Sequence, residues 1–121
     1  MIKLVKQESG HDCGHACLAM LLNKSLDEIK SQVKVKRVSS YHLKIYLSCK
    51  YENSYEMKLI GKDINLPEFG ILNITFSGGH WIIKEKNTIY CPHYGVVSFE
   101  KYFNMFAKNR IITGAMTLKA K

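Results

Sequence analysis

The two halves of the chain repeat their apolar residues with different periods. That contrast does most to limit the folds open to it. Cys13, Cys17, Met20 and Leu21 recur at helical spacing, with Ala16 and Ala19 as small packing residues, which predicts a helix over 13–23. Asp12 is its predicted N-cap. Ser25-Leu26-Asp27-Glu28 has the pattern of a capping box and opens a second helix over 26–33. Ser39 or Ser40 caps a third, with Leu43, Tyr46 and Leu47 as its apolar stripe. Beyond residue 50 the pattern changes to short runs punctuated by glycine and proline. Tyr55–Ile60 and Phe69–Phe76 read as strands, and Ser77-Gly78-Gly79 as a turn. His80–Lys84 and Thr88–Cys91 read as a hairpin about Glu85-Lys86-Asn87, followed by a turn over Pro92–Gly95. Ser98 caps a helix through Phe99, Tyr102, Phe103 and Phe106, and Ile111–Leu118 is a closing strand. Ile2–Val5 is β-prone, and Gln7–Asp12 is a loop. Helices first and strands afterwards predict an α+β domain, with an N-terminal helical lobe packed on an antiparallel sheet. With 121 residues and no linker or repeat, residues 1–121 form one domain.

Charge narrows the partners. The formal net charge is +8, but the lysines are scattered, and only Lys34-Val35-Lys36-Arg37 is dense. No nucleic-acid motif accompanies that stretch, so nucleic acid is not expected, and an acidic protein partner fits the charge as well. No apolar run approaches the roughly 20 residues of a membrane span, and no signal peptide is seen. The four cysteines, Cys13, Cys17, Cys49 and Cys91, contain no Cys-x-x-Cys pair or zinc-ligand spacing. They read as reduced thiols in a cytoplasmic setting.

Cys13 is the candidate nucleophile. It falls on the first turn of a predicted helix after a glycine-containing loop, where unpaired N–H groups and the helix dipole favour a thiolate. Gly14 leaves room beside the sulfur for a substrate backbone. Taken alone, a small buried cysteine is the commoner explanation, and Cys17 fits it. His80 is the candidate base: it follows a glycine turn, starts a strand, and has Trp81 beside it to exclude water. His11, His15, His42 and His93 compete for that role, although His15 lies about 200° around the helix from Cys13. Gln7, six positions before Cys13, is the candidate oxyanion donor, together with the Cys13 N–H.

These residues resemble a known family. Gln7, five residues, and then Cys13 within Asp12-Cys13-Gly14-His15-Ala16-Cys17-Leu18-Ala19-Met20-Leu21 is similar to the first motif of the bacteriocin-processing, papain-like cysteine peptidases. Those are the double-glycine leader peptidases at the N-termini of peptide-exporting ABC transporters. Leu66-Pro67, an apolar strand and Gly79-His80-Trp81-Ile82-Ile83 resemble the family's histidine motif, and Ser98-Phe99 with Ile112-Thr113-Gly114 to Leu118 resemble its closing helix and strand. The likeness implies a papain-like fold and peptide-bond hydrolysis by Cys13, His80 and Gln7, with no metal or cofactor. One position departs. Ile89-Tyr90-Cys91-Pro92-His93-Tyr94-Gly95 stands where the family has Asp-Pro-x-x-Gly, so Cys91 replaces the carboxylate that orients the histidine. Three alternatives follow. Another group (Asn87, His93 or a backbone carbonyl) orients His80. The Cys13–His80 pair works without a third member. Or the domain has lost peptidase activity, or turned to another acyl transfer such as deamidation. The implied substrate is a peptide or protein, by default a leader peptide cut after Gly-Gly, and the implied partner is a parent transporter or toxin chain that carries the domain. Two other roles fit: a toxin or effector domain delivered into a target cytosol and held by an acidic immunity protein, and a non-catalytic peptide-binding module.

Overall fold

The computed structural model describes residues 2–57, 66–74, 79–106 and 111–121. Its first half is helical: α1 (Cys13–Leu22), α2 (Leu26–Gln32) and α3 (Ser40–Leu47). Each boundary has a local cause. Asn23, with φ 56°, adopts the left-handed conformation that ends α1. Ser25 accepts the Glu28 N–H at the start of α2, as the capping pattern predicts. Ser39 rather than Ser40 caps α3; its hydroxyl takes the His42 N–H, and the His42 ring takes the Ser39 N–H in return.

Among the described residues, six strands then form one antiparallel sheet. They are β1 (Tyr51–Met57), β2 (Phe69–Ile74), β3 (His80–Glu85), β4 (Thr88–Cys91), β5 (Gly95–Ser98) and β6 (Ile112–Ala120), in the order β1-β6-β2-β3-β4-β5. Between β5 and β6, Ser98 caps the short helix α4 (Phe99–Lys101), which widens into a π-turn over Tyr102–Phe106. The α+β class with an antiparallel sheet is therefore present. β5 is an addition, since the sequence suggested only a turn before Ser98. Among the described residues Ile2–Val5 pairs with no strand, but Ile2, Leu4 and Val5 pack against the core. The expected strand residues 58–60, 75 and 76, and the turn residues Ser77 and Gly78, lie outside the described residues.

Alternation along the strands divides the core in two. Ile71, Trp81, Ile83, Met116 and Leu118 face the helices and pack with Leu18, Leu21 and Leu43. Leu72, Ile74, Ile82 and Ala115 face the other way and pack with Ile89, Cys91 and Tyr102. β3 belongs to both cores, and the candidate base stands at its first residue.

Candidate active site

The site begins where β3 outruns its neighbour. β4 pairs with β3 only from Ile83 onward, so one side of Trp81 has no strand beside it. A residue in an antiparallel strand sends its N–H and C=O to the same side. At Trp81 both face α1: the N–H lies near enough to the Cys13 sulfur to favour its thiolate, and the C=O accepts the Cys17 thiol at 3.5 Å. Two cysteines one helical turn apart thus replace a strand partner. Cys13 is fixed against the peptide unit that joins His80 to Trp81. The sequence placed both thiols on one face of the helix, and the structure gives that face its purpose. The Trp81 indole is locked as well, donating to the Val38 carbonyl at 2.9 Å.

His80 shares its face of β3 with Ile82 and is buried. Its Nε2 lies 3.3 Å from the Cys91 sulfur. That sulfur also meets the Tyr102 hydroxyl at 3.3 Å and accepts the Tyr94 N–H at 3.4 Å. The group standing where a carboxylate was expected does contact the imidazole. His93 does not replace it: its side chain is exposed and packs edge-on against Tyr94, though its charge reaches His80. Asn87 lies at the hairpin tip, at the far end of β3, where its carbonyl accepts the Phe99 N–H. It is not brought to His80.

Gln7 is held in the loop before α1 by a backbone bond to Pro92 at 3.0 Å. Its amide nitrogen is turned to the Ser9 carbonyl at 2.7 Å, and its Oε1 is buried without a donor. Asp12 is not the side-chain cap predicted for α1. Its carboxylate folds back to accept the Glu8 and Ser9 N–H groups, and Lys30 of α2 pairs with it at 2.8 Å. Burial alone would raise the Asp12 pKa, but Lys30 and the two N–H groups overcome it and hold the carboxyl below its ordinary value. Asp12 therefore fastens the Gln7 loop rather than the helix end. His15 points away from Cys13, as expected, and its Nε2 lies 3.2 Å from the Val33 carbonyl. His42 serves the α3 cap.

Protonation differs from the sequence expectation. Burial pushes the Cys13 thiol above its ordinary value and Asp12 adds to it, against the Trp81 and Gly14 N–H groups and the Arg37 charge. Burial, with His93, lowers His80 from 6.5 to about 4. At neutral pH the resting site therefore holds a thiol and a neutral imidazole, because burial outweighs the helix-end field.

A cleft of about 400 Å³ opens on Cys13, and Gly14, Val38, Trp81, Arg37 and Asn73 are among the residues that line it. A methyl at Gly14 would come within 2.6 Å of the Val38 Cβ, so the backbone is bare there because no side chain fits. Sequence reasoning missed Tyr102 and the Trp81 peptide group. In the sequence Tyr102 reads only as part of the helix that Ser98 caps, and its one signal is a hydroxyl that must find a partner once buried. Among the described residues no helix is long and apolar enough to cross a membrane. Neither a protein-family profile nor a curated protein matches the chain, and the site's own geometry carries the functional reading.

Proposed function

We propose that the chain is a papain-like cysteine hydrolase of peptide bonds, with Cys13 as nucleophile and His80 as base. The Trp81 peptide unit carries this reading. Its N–H lies toward the Cys13 sulfur and favours the thiolate, and the residue it joins to Trp81 is a histidine whose Nε2 meets Cys91 at 3.3 Å. Because both partners rest neutral, the proton moves during attack. His80 takes it from Cys13 as the sulfur bonds to the substrate carbonyl carbon, and the carbonyl electrons shift to oxygen. The Cys13 N–H, on the first helical turn, is one donor for that oxygen. Gln7 becomes the second when its amide turns from Ser9. Collapse expels the amine, which takes the proton from His80, and water then hydrolyses the thioester. The narrow lining at Gly14 and Val38 suits small residues at the cut, as in a double-glycine leader peptide. Cys13→Ala is expected to keep its circular dichroism and abolish turnover of such a peptide; cleavage by that variant would refute the assignment.

The neutral resting pair also favours a second reading, a domain that docks a peptide without cutting it. Alkylation of Cys13 by iodoacetamide separates the two. A nucleophile reacts at neutral pH, at a rate that keeps rising beyond pH 9, whereas a docking residue stays inert.

A further inference from the structure

Two groups on the lining of the cleft have no part in acyl transfer. Arg37 is exposed at the end of the α2–α3 connection, and it forms no ion pair among the described residues. Its charge reaches the Cys13 sulfur. No Asp or Glu among the described residues lines the cleft to balance it. Asn73 of β2, also on the cleft lining, has its Oδ1 closed off from solvent with no donor among the described residues. A buried acceptor left unpaired in a folded chain is uncommon and needs a reason, and a ligand N–H supplies one. Gly79 stands beside that oxygen. A Cβ there would sit 3.2 Å from Asn73 Oδ1, and its φ of +97° favours glycine, so a ligand reaches the oxygen only once the Asn73 amide turns toward the cleft.

A cation and an orphaned acceptor on one cleft call for a ligand with a carboxylate and an N–H, and an acidic peptide has both. We propose that the Cys13 cleft selects an extended acidic peptide, pairing a side-chain carboxylate with Arg37 and a backbone N–H with Asn73 Oδ1. This rests on reading the cleft as the substrate site and adds the substrate's charge to it. Lys34 and Lys36, on the same connection, line the adjoining groove with His11, so the positive field extends past the cleft. The net charge of +8 draws acidic chains in the same sense.

Trp81 is the single tryptophan and lines the cleft, so its fluorescence reads occupancy without any chemistry. The test titrates the full chain carrying Cys13→Ala with two capped, isosteric peptides, acetyl-Ala-Glu-Ala-amide and acetyl-Ala-Gln-Ala-amide. The Glu peptide is expected to bind about three- to fivefold tighter at low salt, the size of one exposed charge pair. The gap closes to under about twofold on adding Arg37→Gln or about 0.5 M NaCl. Adding Asn73→Leu instead weakens both peptides and keeps their ratio. Equal binding of the two peptides, absence of binding by either, or a gap that survives Arg37→Gln overturns the proposal, and unchanged binding with Asn73→Leu overturns its second contact. Iodoacetamide is uncharged and reads Cys13 separately. An inert Cys13 in a chain that still prefers the Glu peptide sinks the hydrolase reading and leaves this one standing.

Discussion

Cys91 does for His80 only part of what a carboxylate would. A carboxylate accepts, so it keeps the proton on Nε2 and leaves Nδ1 as the basic nitrogen, and it steadies the imidazolium. A thiol both donates and accepts weakly. The 3.3 Å contact therefore positions the ring without fixing its tautomer or lifting its pKa from about 4. Cys91→Asp is expected to reverse this. Tyr102 and the Tyr94 N–H already stand at that position as donors for the new carboxylate. An opposite charge this close raises a histidine by roughly 1–3 units. The imidazolium then favours the Cys13 thiolate, and the midpoint of Cys13 alkylation by iodoacetamide moves down by at least about one unit. Burying the carboxylate costs about 2 kcal/mol, read by urea denaturation. An unmoved midpoint would show that His80 does not govern Cys13. His80 also sets an acid sensitivity. Its folded pKa lies below its unfolded 6.5, so its contribution to stability is complete above pH 6.5 and is lost as pH falls through about 4. The shift is worth about 3 kcal/mol, and urea midpoints at pH 7 and pH 4 measure it. His80→Phe should flatten that difference.

At the scale of elements, the caps were the most legible part of the sequence. Ser25, Ser39 and Ser98 each start the helix that their spacing predicted, because a cap is settled within four residues. Ser39→Ala is expected to cost about 1 kcal/mol by urea denaturation. The same change should loosen the cleft, since Ser39 lines it. Asp12 shows the limit of that local logic. As a cap it had to compete with Lys30, a residue on another helix, and the ion pair with the Gln7 loop won. β5 escaped because Gly95–Ser98 is only four residues long and follows a proline turn, too short for alternation to register. The site divides in the same way. Cys13, His80 and Gln7 became candidates from local surroundings together with the family resemblance. The Cys91–Tyr102 contact, and the use of Cys17 to close the edge of β3, depend on pairings across the sheet that no local pattern encodes.

In the whole molecule, the candidate nucleophile and base come from different layers that meet at the start of one strand. Cys13 arrives with the helical lobe, Cys91 belongs to the second core, and His80 stands at the first residue of β3, the end of the strand past which its ring must reach Cys13. What holds the two halves in register is β3, whose Ile83 packs under the helices while Ile82 packs the other way. With both cores built on this one strand, neither face can open without exposing the other, so unfolding should be a single transition. Leu18→Ala in the helical core and Ile89→Ala in the other are each expected to cost about 2–5 kcal/mol. For either variant, Trp81 fluorescence and far-ultraviolet circular dichroism should give one coincident urea midpoint. Separate midpoints after Leu18→Ala would mean that the helical lobe detaches from a surviving sheet. Cys13 would then leave His80 before the chain unfolds, and the site would be lost at milder conditions than the fold.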